Sequence, residues 1–124
     1  MEGRGFSNPV DVAIRSDGRM YALSRTNPLQ TYGIRVGICD LESEYYGHFG
    51  SYGSGDGEFM LPTALAFDRD DNLYLADEYT HRITVFDGEG RFLSRWGTHG
   101  SGDGELHAPS GLAFDADGNL YVVD

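Results

Sequence analysis

Gly53-Ser-Gly-Asp-Gly-Glu58 returns unchanged as Gly100-Ser-Gly-Asp-Gly-Glu105, 47 positions further on. Its flanks return with it. Pro62-Thr-Ala-Leu-Ala-Phe-Asp68 is matched by Pro109-Ser-Gly-Leu-Ala-Phe-Asp115, and Asn72-Leu-Tyr-Leu-Ala-Asp77 by Asn119-Leu-Tyr-Val-Val-Asp124. Self-similarity at such a period marks a chain assembled from copies of one supersecondary unit. A unit of this size cannot cover its own apolar face, so the copies must stack on one another. A more divergent copy comes first, with Pro9-Val-Asp-Val-Ala-Ile14 followed by Asp17-Gly-Arg-Met-Tyr-Ala-Leu-Ser24. Pro9 leads Pro62 by 53 positions, whereas Arg35 leads Arg82 by 47, so six extra residues fall between Ser24 and Arg35. A lengthened loop near 26–33 accounts for them.

Each copy reads as four short strands. In the second they are Ala64–Phe67, Leu73–Ala76, Ile83–Phe86 and Phe92–Trp96, separated by Asp70-Asp-Asn72, Glu78-Tyr-Thr-His81 and Asp87-Gly-Glu-Gly90. Aromatic and branched residues bounded by Gly, Asp and Asn indicate antiparallel hairpins. No stretch sustains a helical period. The first copy supplies Val10–Ile14, Met20–Leu23, Ile34–Cys39 and Tyr45–Phe49, and the last supplies Gly111–Phe114 and Leu120–Val123. Four strands per repeat at this spacing describe the blade of a β-propeller. The expected fold is all-β, a partial propeller of about two and a half blades. Residues 1–8 form a lead-in, 9–59 the first blade, 60–106 the second, and 107–124 the first half of a third.

The phrases Pro-x-x-Leu-Ala-Phe-Asp, Asn-Leu-Tyr-Val-x-Asp and His-Arg-Ile-x-Val-Phe-Asp resemble the NHL repeat from about Gly5 onward. Two positions depart from that pattern. Thr80 stands where the family usually has Asn, and Ser24 where it has Asp. The resemblance implies a propeller that serves as an interaction or sensor module. Propellers similar in fold include lyases and gluconolactonase-like hydrolases with a metal at the ring centre, which makes an enzyme the alternative. Such a metal would need His or carboxylate ligands from several blades, and the starts of the innermost strands carry Val10, Thr63 and Ser110. A non-catalytic scaffold for a protein, peptide or glycan is therefore the expected function. Propellers close with typically four to eight blades, so further blades of a longer chain are expected to complete the ring.

The 124 residues carry a net charge of −11, from twenty carboxylates against nine arginines and no lysine. An acidic chain without a basic stripe argues against nucleic-acid binding, which rests on cationic contacts to phosphate. No apolar run is long enough to span a bilayer. Cys39 is the sole cysteine, and on a strand it reads as a core thiol.

The Gly-rich phrases could cradle an anion, but a strand follows them and each carries its own Asp and Glu. They read as linkers between blades. Asp68-Arg-Asp-Asp-Asn72 and Asp115-Ala-Asp-Gly-Asn119 begin like calcium loops, yet the sixth position is Leu in both instead of Gly. Tight turns are the better reading. No cofactor is expected, and calcium is the one ion these turns bring to mind. Asp77 closes a second strand and Arg82 opens the third, so antiparallel pairing suggests a structural ion pair between them. Strand alternation places the loops after second and fourth strands on one face. Tyr52, Asp56, Glu58, Glu78, Tyr79, His81, His99, Asp103 and Glu105 share that rim, the expected ligand surface. Phe67, Tyr74, Phe86, Phe92, Trp96, Phe114 and Tyr121 recur in register and are expected to pack blade on blade.

Overall fold

The computed structural model describes residues 9–24, 35–40, 45–100 and 102–124. The lead-in over 1–8 and the lengthened loop near 26–33 lie outside them. Among the described residues every regular element is a strand.

The first blade is the sheet β1 (Pro9–Ile14), β2 (Met20–Ser24), β3 (Arg35–Cys39) and β4 (Tyr45–Phe49), in that spatial order. The second is β7 (Pro62–Phe67), β8 (Leu73–Asp77), β9 (Arg82–Phe86) and β10 (Phe92–Trp96), with all neighbours antiparallel. A two-stranded ribbon of β13 (Gly111–Phe114) and β14 (Leu120–Val123) begins a third. These are consecutive propeller blades. The first strands lie innermost, and β7 packs against both β1 and β13.

Two small elements were not visible in the sequence. β5 (Ser51–Tyr52) pairs in parallel with β6 (Glu58–Phe59), and β11 (Thr98–His99) with β12 (Glu105–Leu106). They pinch each Gly-rich linker at its neck and deliver Phe59 and Leu106 into the two junctions between blades, where both are buried. Gly50 shows why the necks need glycine. Its φ is +90°, and a Cβ there would stand 2.3 Å from the Phe59 ring, inside any permitted contact.

The middle blade is apolar on both faces because both are covered. Leu65, Leu73, Leu75 and Phe86 meet Tyr21, Leu23 and Val36 of the first blade. Ala64, Ala76 and Ile83 turn the other way, toward Leu106, Leu112 and Val122. One aromatic pair is repeated at each junction. Tyr21 meets Phe67 edge-to-face at 4.9 Å, and at the aligned positions Tyr74 meets Phe114 at 5.0 Å. Such pairs add roughly 0.5–1.5 kcal/mol beyond the area they bury.

Polar links cross the same boundaries. Asp11 accepts the Leu65 N–H at 2.8 Å, and the Thr63 hydroxyl donates to the Pro109 carbonyl at 2.8 Å. Arg15 of the first blade donates to the Gly88 carbonyl of the second at 2.7 Å, and the Tyr21 hydroxyl donates to the same oxygen. Cys39 is fully buried, as its strand position suggested, and burial pushes its thiol pKa up.

Two of the recurring aromatics do not pack as their register suggests. Trp96 is 40% exposed and Tyr121 59% exposed. Phe49, which aligns with Trp96, rests on Phe86 of the following blade at 4.9 Å. Trp96 lies on β10, the outermost strand of the second blade. The face of β14 that carries Tyr121 is likewise uncovered.

Candidate functional site

The turn Glu78–His81 is built on Asp77. This carboxylate is fully buried and accepts four backbone N–H groups: Met60 at 2.8 Å, Leu61 and Tyr79 at 3.1 Å, and Thr80 at 3.3 Å. A buried charge is tolerable only when hydrogen bonds replace its lost hydration. Asp77 thereby ties the linker entering its blade to the turn leaving its second strand. Asp124 repeats the device at the next junction, accepting from His107 N at 2.9 Å and Ala108 N at 2.7 Å. Those N–H groups, with His107 and His81 nearby, hold the Asp124 carboxyl below the usual carboxylate range. Ser24, at the aligned position of the first blade, has a buried hydroxyl with no partner among the described residues.

The expected Asp77–Arg82 ion pair is not formed. The two residues do stand opposite one another in register, but the guanidinium points away. Arg82 donates to the Ser54 carbonyl at 2.8 Å and reaches Gly55 O at 3.4 Å, while Arg95 donates to Ser54 O at 2.9 Å. The linker backbone already satisfies Asp77, so Arg82 is left to clasp the Gly-rich loop. Burial, with Arg95 alongside, depresses the Arg82 pKa.

The nine rim positions divide into separate groups. Tyr52, Asp56 and Glu58 lie on the first linker. Tyr52 is exposed on β5, Asp56 stands 3.5 Å from Arg95, and Glu58 turns inward to accept the Gly55 N–H at 2.9 Å. Asp103 and Glu105 lie on the second. Glu105 accepts the Gly102 N–H at 2.9 Å, and Asp103 is exposed. Glu58 and Glu105 thus fold their own loops. The rest converge. Glu78, Tyr79 and His81 line a cleft of about 470 Å³ together with Leu61, His107 and Ala108. His81 takes a left-handed backbone, φ 59°, and its ring lies 4.2 Å from that of His99. His99 in turn lies 5.2 Å from His107.

His107 was not nominated from the sequence. Its aligned residue is Met60, so the repeat carried no signal for it. Its place directly after the second Gly-rich phrase, between Leu106 and Ala108, could have marked it. The residues thought to resemble calcium loops are engaged in their own turns. Asp68 Oδ1 accepts from Asp70 N and Asn72 N, and Asp115 Oδ1 from Asp117 N and Asn119 N. The cleft at the second junction combines an exposed aromatic (Tyr79), a carboxylate (Glu78) and imidazoles over a rigid base. It can hold a ligand by stacking, hydrogen bonding and attraction for positive charge.

Residues 64–124 match the family described as DUF5128: 6-bladed beta-propeller. No curated protein matches the chain. Among solved structures it is similar to a gluconolactonase of Xanthomonas campestris, at 20% identity and TM-score 0.64, with 95% of this chain and 35% of that one covered. It is similar to a Bacteroides fragilis protein at 16% identity and TM-score 0.71, covering 93% of this chain and 29% of that one. Virginiamycin B lyase of Staphylococcus aureus aligns at 13% identity and TM-score 0.59, covering 94% and 34%. The chain thus spans about a third of the length of the solved structures it matches. At these identities the likeness is one of fold. No helix among the described residues is long and apolar enough to cross a membrane.

Proposed function

We infer that this chain belongs to an NHL-type propeller that acts as a binding module, holding a cationic peptide or protein segment on the rim between its second and third blades. The observation that carries this reading is the cleft beside Tyr79, a residue 64% exposed on a backbone fixed by buried Asp77. A large aromatic kept in solvent on a braced turn loses little freedom when a partner covers it. Glu78 on the same cleft and a net charge of −11 favour a partner of positive charge. The test is fluorescence polarisation of arginine-rich, neutral and acidic peptides against the whole protein, its Tyr79→Ala variant and its Glu78→Gln variant. Arginine-rich peptides should bind best, and both variants should weaken them. Equal affinity for all peptides, or indifference to both substitutions, removes the rim as the binding surface.

A second reading is an enzyme with a metal at the ring centre. It is favoured by the similarity to a gluconolactonase and to virginiamycin B lyase. Asp11 is the one ionisable side chain on the three innermost strands, and its oxygens accept from Val12 N and Leu65 N. Ligands for such a metal would therefore come from other blades. Lactone hydrolysis by the whole protein that is abolished by a chelator would favour this reading over the first.

A further inference from the structure

His81, His99 and His107 lie side by side at the edge of the cleft, and the acceptor beside His81 fixes one of their protons. The His107 carbonyl can only accept, so its 2.5 Å contact with His81 Nδ1 requires the proton on that nitrogen. In the neutral ring the lone pair is then on Nε2. A ring N–H anchored on a backbone carbonyl is the usual support for an imidazole that binds a metal.

The other two rings face each other directly. His99 Nε2 and His107 Nδ1 are 3.2 Å apart. Two imidazole nitrogens on one tetrahedral ion, each about 2.0–2.1 Å from it, stand roughly 3.3 Å from one another. The pair already has the bite of a chelate. Asp124 beneath the His107 N–H and Glu78 across the cleft make the surroundings negative. Neither ring is demanded by the fold, because Tyr52 and Met60 occupy the aligned positions. A purely structural contact would be expected to recur with the repeat.

We propose that His99 and His107 chelate a divalent transition ion of the imidazole-preferring class, copper, nickel or zinc, through Nε2 and Nδ1. The hydrogen bond between them is exchanged for two metal–nitrogen bonds. The imidazole that donated shifts its proton to its other ring nitrogen, so both lone pairs face the ion and no proton leaves the protein. Among the described residues no three His, Cys, Asp or Glu already converge on one point. The remaining coordination positions are therefore filled by water. This site stands independently of what the cleft binds.

Trp96, the only tryptophan, lies three residues before His99 and reports on the site. Metal-free protein is titrated with Cu²⁺ at neutral pH while its fluorescence is followed, and Zn²⁺ binding is measured by calorimetry. One ion per chain should quench Trp96 saturably, and a chelator should restore the signal. His99→Asn and His107→Asn should each raise the half-saturating concentration roughly tenfold or more, and His48→Asn should leave it unchanged. Absence of saturable quenching, or the same curve in all three variants, overturns the proposal.

Discussion

The two Gly-rich linkers have one sequence and two environments. Within each loop the geometry is the same. The parallel neck, the Glu-to-Gly hydrogen bond of 2.9 Å and the positive φ values of Gly53 and Gly57 recur at Gly100 and Gly104. Around them the contacts differ. Arg82 and Arg95 grip the first linker by its Ser54 carbonyl, and Phe59 carries its neck into the larger core. Leu106 carries the second neck into a smaller core. The flanks of that linker carry His99 and His107. In each loop a Glu side chain ties the turn together, while the flanking residues decide what the loop displays.

The sharpest way to break this comparison is at the paired aspartates. Asp77→Ala leaves four buried N–H groups without an acceptor and should cost roughly 3 kcal/mol or more, read from urea unfolding. Asp124→Ala, with its donors near solvent, should shift the midpoint far less. Equal losses would mean that the two junctions are equally buried. Next come the neck glycines. Gly50→Ala and Gly97→Ala each force alanine into a positive φ, the first against Phe59 and the second 2.8 Å from the His81 carbonyl. Each should cost about 2–3 kcal/mol, and amide exchange should rise at the altered junction and not at the other.

Arg82→Ala removes a charged donor from the first linker and should cost about 1–2 kcal/mol. Amide exchange should quicken over Gly53–Glu58 and stay unchanged over Gly100–Glu105. The smallest effect concerns acid. Hydrogen bonds from the Asn119 backbone and side chain hold Asp115 below the ordinary carboxylate range, as those of His107 and Ala108 hold Asp124. A carboxyl depressed by folding stabilises fully above its unfolded pKa, and that contribution is lost as pH falls through the folded one. The unfolding midpoint should therefore drop below about pH 4, and Asp115→Asn should flatten that limb slightly.

Much of the architecture was legible because it repeats. Phe67, Tyr74 and Phe114 announce inter-blade contacts through their spacing alone, and each blade's turns announce themselves through Asp, Asn and Gly. The strands run a residue or two longer than read at Pro62, Asp77 and Arg82, where the side chains gave no apolar signal. What escaped was set by contacts between distant segments. Asp77 binds the linker backbone, an acceptor role fixed by how Met60 and Leu61 enter the blade, and this freed Arg82 for Ser54. Nothing in the repeat distinguished Glu58, which folds inward, from Glu78, which lines the cleft. His107 stayed hidden because it follows the linker at the entry to the next blade, outside the rim loops, where the preceding copy carries Met60.

Successive copies pack as neighbouring blades through one recurring aromatic contact. Nuclear Overhauser spectra of the protein test it directly. Ring-to-ring cross-peaks are expected for Tyr21 with Phe67 and for Tyr74 with Phe114, and none for Tyr21 with Phe114. Tyr21 and Tyr74 in contact only with residues of their own sheets would contradict it.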